Sequence, residues 1–415
     1  MIEWNALLFG FLFLFLLYLV FDLWLERINR RHLKSQGDHV PELFEGFIDG
    51  PKLSRIIAYT QDNSRFACLQ QIISDTVLLG ILLSGLLPFL EQLSGYWKLP
   101  FIPSGLFFLL IPGIISSLVD LPFGYYHTFV IEEKYGFNKS TRRIWIIDQL
   151  KAAALSLVLF SLIVSLILWM ICLSPFHWWL WGFVILSLIQ LTLAILYPIL
   201  IAPIFNKFQP IQDQGLVDKI DHLMQEAGIR IKGLFQMDAG RRSRHTNAYF
   251  TGLGKTKRIV LFDTLIENSP QEEILAVLAH EAGHFKGKHI WKQFLLFELS
   301  MLIAFYLSYR LIDWPLLYHT FGFQHASPYV GLFLVGILGQ KAGFFLAPFY
   351  MALSRRFERQ ADRFAVGLLK SPSSMMTVLK RLGADNLSNL FPHPFYVWFH
   401  YSHPPLVERI TSIEQ

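Results

Sequence analysis

The sequence predicts a mainly α-helical, polytopic membrane protein, with about seven spanning helices and a polar α+β domain at one face of the bilayer. Three observations predict it. Of the 415 residues, 53% are hydrophobic and only 16% charged, with a mean hydropathy of +0.42, well above an ordinary soluble domain. Seven apolar runs occur at 6–21, 76–90, 101–119, 152–172, 178–205, 294–309 and 328–353. With its flanks, each approaches or exceeds the roughly 20 residues that a spanning helix needs. Between the fifth and sixth runs, and again after the seventh, the chain turns polar and its periodicity mixes helix with strand.

The first run follows Met1-Ile2-Glu3-Trp4, with no basic stretch before it and no small-residue cleavage site after it. It is expected to stay as an anchor. Four further runs complete a five-span region over 1–206. Residues 207–292 form a first polar part, 293–353 hold the last two spans, and 354–415 form a second polar part expected to pack on the first. Cys68 and Cys172, the only two cysteines, lie in or beside apolar runs and read as small buried side chains; neither a disulfide framework nor a thiolate metal site is expected.

Basic residues set the orientation. Arg27, Arg30, Arg31, Lys34, Lys52, Arg55 and Arg65 follow the first span, and Lys134, Lys139, Arg142 and Arg143 follow the third, whereas the alternate loops carry only Lys98. The positive-inside bias therefore places the N-terminus outside and both polar parts, with the C-terminus, in the cytoplasm. These loop charges also account for the pI near 9.0, so no nucleic-acid partner is expected.

In the first polar part, 215–227 has helical spacing through Leu216, Ile220, Leu223 and Met224, and 229–237 reads as a strand. Two strand-like runs, 247–253 and 258–262, flank Gly254-Lys255-Thr256-Lys257 as a hairpin. Ser269-Pro270-Gln271-Glu272 then has the composition of a capped helix start, with Ser269 as N-cap. The helix it opens carries His280-Glu281-Ala282-Gly283-His284.

On a helix His280 and His284 fall one turn apart on one face, so both rings can bind one ion, with Glu281 beside them to accept a proton from bound water. A catalytic zinc takes one more protein ligand and keeps an open position. Glu358, in SRRFERQADRFA (354–365), is the candidate. That segment also reads as a helix, with an apolar stripe of Phe357, Ala361, Phe364, Ala365 and Leu368. Asp362, one turn on, is placed to hold the other nitrogen of a ligating imidazole. Taken alone, the same segment reads by default as a solvated charged helix balanced by Arg355, Arg356, Arg359 and Arg363. Together the motifs point to one Zn2+ per chain and to amide hydrolysis with Glu281 as general base.

At these residues the chain resembles the type I CAAX prenyl endopeptidases, integral-membrane zinc metalloproteases of gluzincin-like type, with HtpX-type proteases as more distant relatives. The likeness extends through TFVIEEKYGFNKST (128–141), HTNAYFTGLG (245–254) and YSHPPLVERI (401–410), in family order over most of the chain. It implies a cytoplasmic zincin-like α+β metalloprotease domain that caps a hydrated chamber enclosed by the spans. It implies further that Asn247, Ala248, Tyr249 and Phe250 form an edge strand pairing with a substrate peptide. His403 and Arg409 are implied to bind substrate or to stabilise the negative charge that develops during attack. The partners so implied are a membrane-associated peptide or protein and the lipid bilayer.

The short loop 313–327 and the absence of an endoplasmic-reticulum retrieval signal resemble a bacterial inner-membrane member more than a eukaryotic reticulum one. Seven residues of helix, about 10 Å, separate His284 from Trp291, which places the metal at the membrane edge with Lys286, Lys288 and His289 beside it. Polar groups in or near the spans, Asp75, Asp120, Gln190, Glu298, Gln340 and Lys341, are costly against lipid and are expected to face partners or an aqueous space. Two other readings stand beside the endopeptidase. A site-two type intramembrane protease places its histidine motif inside a span, whereas Lys286 and Lys288 follow this one directly. A zinc-binding transporter or scaffold has no need of Glu281.

Overall fold

The computed structural model describes residues 2–37, 39–251 and 258–414. Among them, six helices are long and apolar enough to cross a membrane: Ala6–Gln36, Gly50–Leu83, Phe101–Glu132, Arg142–Leu173, Trp178–Phe205 and His289–Leu311. A broken pair, Pro328–Phe344 and Ala347–Leu369, bent by 56°, has the length and composition for a seventh if the two helices count as one span. Polar caps start several of these helices. Asn5 accepts from the amides of Leu7 and Leu8, Asp49 from Lys52 and Thr141 from Ile144, satisfying donors that a helix end leaves free.

Two of the expected spans are shifted. The second, expected at 76–90, is the far end of a helix that begins at Gly50 and stops at Leu83. Gly85 there adopts φ +83°, a left-handed conformation that glycine takes without a side-chain clash, and a separate helix, Leu86–Tyr96, follows. The seventh, expected to run unbroken over 328–353, bends after Phe344 because Pro348 has no amide to continue the ladder. That bend turns the helix carrying Glu358 away from the line of the span.

The polar expectations for the spans are met by partners. Lys341 Nζ lies 2.6 Å from Asp75 Oδ1, both side chains buried, and sits 4.1 Å from the centre of the Tyr18 ring. Asp120 accepts from Gln70 and Ser74, Glu298 from Ser187, and Gln190 approaches the Met301 sulfur. Asp75, Gln340 and Lys341 line a cavity of 510 Å3 between spans, whose other wall includes Leu109, Phe160 and Phe333. Breaking a buried ion pair costs about 3–5 kcal/mol, whereas replacing both partners by apolar groups is close to neutral. Lys341→Met is therefore expected to lower the thermal midpoint in micelles, and Asp75→Leu/Lys341→Met to recover most of it. An unshifted single variant contradicts this account.

The polar region folds around a four-stranded sheet: β1 (Phe208–Pro210), β2 (Gly233–Met237), β3 (Ala248–Thr251) and β4 (Arg258–Phe262), in the order β1-β2-β4-β3. The β2 and β4 strands are parallel, and the other two pairings are antiparallel. The helix expected at 215–227 is present as Gln214–Glu226, and the strand expected from 229 begins only at Gly233. The expected turn at 254–257 lies outside the described residues. The capping expectation at 269 is corrected: Ser269 ends a short helix, Asp263–Asn268, its amide bonded to the Leu265 carbonyl. Pro270 is the N-cap of the next helix, Gln271–Lys286.

Four parts of the chain share the polar domain's core. Phe44 and Ile56 come from after the first span, Ile131 and Phe137 from after the third, Ile259, Leu261, Leu278 and Ala279 from the sheet and motif helix, and Ala365, Val378 and Ile410 from beyond the last span. Burial of this apolar surface ties the domain to the membrane region.

Candidate metal centre

The motif helix Gln271–Lys286 crosses the helix Ala347–Leu369 at a glycine. A Cβ on Gly283 would stand 2.8 Å from Ala361 Cα and 2.9 Å from its carbonyl oxygen, so the two backbones are in direct contact. With Ala282 and Ala361 also buried, nothing bulky holds these helices apart. Side chains on either side of the crossing therefore converge.

They converge at Glu358. His284 Nε2 lies 3.1 Å from Glu358 Oε1, His280 Nε2 3.3 Å from Oε2, and the two Nε2 atoms 3.1 Å from each other. One ligand atom from each residue falls within 4.8 Å of the others. Burial disfavours a charged His280 ring, but hydrogen bonds to Asp362 and Glu358 outweigh it and raise its pKa to about 9. A site that stabilises a proton so strongly is electrostatically suited to a divalent cation in its place. Glu358 Oε2, buried with no well-formed hydrogen bond, is an unfilled acceptor aimed at the same point. Two imidazoles and one carboxylate match the donor set of a catalytic zinc.

The outer nitrogens are held as well. His280 Nδ1 lies 2.8 Å from Asp362 Oδ1, and Arg409 grips the same carboxylate through Nε (2.9 Å) and Nη2 (2.7 Å). The fork of Arg409 thus holds Asp362 behind His280, and its Nη2 also lies 3.9 Å from Glu358 Oε2. His403 lies in front: its exposed ring places Nε2 3.3 Å from Glu358 Oε1, and Ser402 Oγ is 2.9 Å from its Nδ1. Glu281 is half-buried, and burial, aided by the charge of Glu358, raises its pKa above 4.5 against the opposing pull of His280, His284 and Arg409. A base raised toward neutrality takes and releases a proton more readily at working pH.

Of the implied substrate residues, Ala248, Tyr249 and Phe250 lie in β3, whose one strand partner is β4. The outer edge of β3 is open among the described residues. Asn247 is exposed just before it, with Oδ1 accepting from the Ala248 amide and its carbonyl accepting from the Phe262 amide.

Comparison with known proteins shows the family. Residues 29–207 match the family model for the CAAX prenyl protease N-terminal region of five membrane helices, and 210–415 match peptidase family M48. A CAAX prenyl protease 1 homolog of Oryza sativa subsp. japonica is 37% identical over 414 residues, 97% of this chain and 96% of that one. CAAX prenyl protease 1 of Saccharomyces cerevisiae is 32% identical over 445 residues, covering 100% and 96%. The crystal structure of S. mikatae Ste24p superposes with a TM-score of 0.91 at 30% identity, covering 97% of each chain.

The chain belongs to the CAAX prenyl protease 1 family. Its membership makes it an integral, multi-pass membrane metalloendopeptidase, of a peptidase family that is zinc-dependent in general. The transporter and scaffold readings are not favoured.

Sequence reasoning missed one side chain beside the candidate metal centre. The motif helix does not run on into the next span as expected: Gly287 ends it and Lys288 turns left-handed at φ 53°. The turn sends His289 back, fully buried, so that its Nδ1 lies 3.1 Å from His284 Nδ1 and its Nε2 2.9 Å from Gln360 Oε1. Its ring stacks on Phe357 at 4.4 Å and 8°. His284 therefore has an outer partner as His280 does. A glycine followed by a charged residue was the only local signal, and read as continuous helix it turned His289 to the wrong face. Losing such an outer partner weakens metal binding about 10–100-fold. His289→Ala is expected to lower zinc affinity by that factor in a chelator competition, with the fold retained by circular dichroism.

Proposed function

We propose that this chain hydrolyses amide bonds of membrane-associated peptides or proteins, prenylated CAAX-type C-termini among them, with one zinc ion per chain held by His280, His284 and Glu358. The observation that carries the reading is the meeting of both Nε2 atoms with one carboxylate across a helix crossing that leaves no room for a side chain. When bound there, zinc supplies an acidified water and polarises the scissile carbonyl. Every other task falls to side chains.

Glu281 accepts the water's proton and delivers it to the leaving amine. Asp362 keeps a proton on His280 Nδ1 and so presents Nε2 as the ligand atom, while Arg409 holds Asp362; His289 and Gln360 do the same for His284. His403, on the accessible side of Glu358, donates a hydrogen bond to the oxygen that gains charge. Substrate backbone adds to the free edge of β3 over 247–250, which fixes the peptide's register with no demand on its side chains. By the distribution of basic loops the site faces the cytoplasm.

Purified protein in neutral micelles, offered a farnesylated CAAX peptide and its unfarnesylated twin, is the direct test. One zinc per chain, cleavage of the farnesylated peptide, arrest by a chelator and recovery with added zinc are expected. Intact peptides beside zinc-loaded protein would sink the endopeptidase role proposed for this site. Equal cleavage of both peptides would remove the prenyl group from the recognition.

A further inference from the structure

Away from the metal, four cations gather where two spans meet the polar domain. Arg142–Leu173 begins there and Trp178–Phe205 ends there, and the turn Ala239–Arg241 of the polar domain joins them. A crevice of 190 Å3 between these parts is lined by Lys151, Lys207, Arg241 and Arg242, with Asp148 as the one carboxylate among its described lining residues. Two of the cations build the crevice. Arg242 donates to Asp148 through Nε (2.8 Å) and Nη2 (3.2 Å), to Asn206 Oδ1 (3.1 Å) and to the Phe205 carbonyl (2.6 Å), and Lys151 Nζ donates to the Ile204 carbonyl at 2.8 Å.

The other two are free. Lys207 and Arg241 are exposed, and among the described residues neither side chain has a hydrogen-bond acceptor or an ion-pair partner; the nearby Asp238 carboxylate is taken up by the Lys207 backbone amide at 2.6 Å, so four cations face two carboxylates. The two spans that line the crevice also expose Ile146, Leu150, Ile199 and Leu200, each within about a turn or two of a lining residue on its own helix, side chains whose natural neighbours are acyl chains. The site thus offers unpaired positive charge in a small polar crevice and an apolar wall adjoining it.

We propose that this crevice binds an anionic phospholipid of the leaflet facing the polar domain, its phosphate on Lys207 and Arg241 and its chains along Ile146, Leu150 and Leu200. The charge excess selects an anion, and the adjoining apolar spans select one that carries chains. A basic pocket between spans at the membrane surface is a recurrent lipid headgroup site. Such a lipid would join the membrane region to the polar domain, whose relative placement positions the catalytic residues.

Full-length protein in micelles is loaded with phosphatidylserine or phosphatidylcholine, and retained lipid is counted by native mass spectrometry alongside the thermal midpoint. The wild type is expected to retain phosphatidylserine and to gain midpoint from it selectively. Lys207→Ala/Arg241→Ala is expected to lose affinity on the order of thirtyfold, from two cations at the surface, while cleavage in neutral micelles is unchanged. Arg230→Ala/Lys232→Ala removes the same charge from two exposed positions elsewhere on the domain and is expected to keep the lipid. Equal retention of phosphatidylcholine, an equal loss in the control, an unaffected variant or displacement of the lipid by inorganic phosphate each overturns the proposal.

Discussion

Glu281→Gln is expected to keep the metal and lose cleavage by about 10²–10⁴-fold. Glutamine preserves the size of the half-buried side chain, and Glu281 is not among the residues whose ligand atoms meet, so zinc content should stay at one per chain. What disappears is the carboxylate that takes a proton from water and returns it to the leaving nitrogen. The residue's raised pKa adds a second readout. A base must be ionised to act; burial raises the pKa of this one and a bound cation opposes that rise, so wild-type cleavage should fall on the acid side as Glu281 takes up a proton. Zinc-loaded variant that cleaves at the wild-type rate would remove Glu281 from the role.

Gly283→Ala is expected to cost the metal itself. The added methyl would stand 2.8 Å from a backbone atom of Ala361, and backbone cannot swing aside as a flexible side chain can. Overpacking of this kind costs about 1–3 kcal/mol, but the functional loss should exceed the stability loss. Moving the helices apart separates His280 and His284 from Glu358, and zinc ligation tolerates only about 0.2 Å. Zinc content well below one per chain, with cleavage falling in parallel, is the expected result. Gly336→Ala serves as control, since a Cβ there meets nothing within 4 Å. Full zinc occupancy in Gly283→Ala would show that the crossing does not govern the site.

How much of this was legible in the sequence differs by element. The spans were readable because lipid imposes a long apolar stretch on each of them, yet their ends were not. Gly50–Leu83 extends far upstream of its apolar part because its first turns pack on the polar domain rather than in lipid. The histidine pair was readable because neighbours one turn apart share a face on any helix. His289 was not, since a single left-handed residue, Lys288, reverses the direction of the chain before it. Nor was the commitment of Arg409 to Asp362, which an arginine followed through a short C-terminal helix gives no local sign of.

By itself the sequence determined a membrane-embedded chain with a metal-type histidine helix, a distant helix bearing Glu358 and Asp362, and a strand-like segment at 247–253. These are properties of residues close together in the chain, written in periodicity and composition. Only the tertiary structure decided that Glu358 falls between the two imidazoles, that Arg409 and His289 stand behind them, and that β3 ends the sheet with its outer edge unpaired among the described residues. Those outcomes depend on the 56° bend between Pro328–Phe344 and Ala347–Leu369 and on two backbones touching at Gly283 and Ala361. Both arise from packing between segments remote in sequence, which no local pattern encodes.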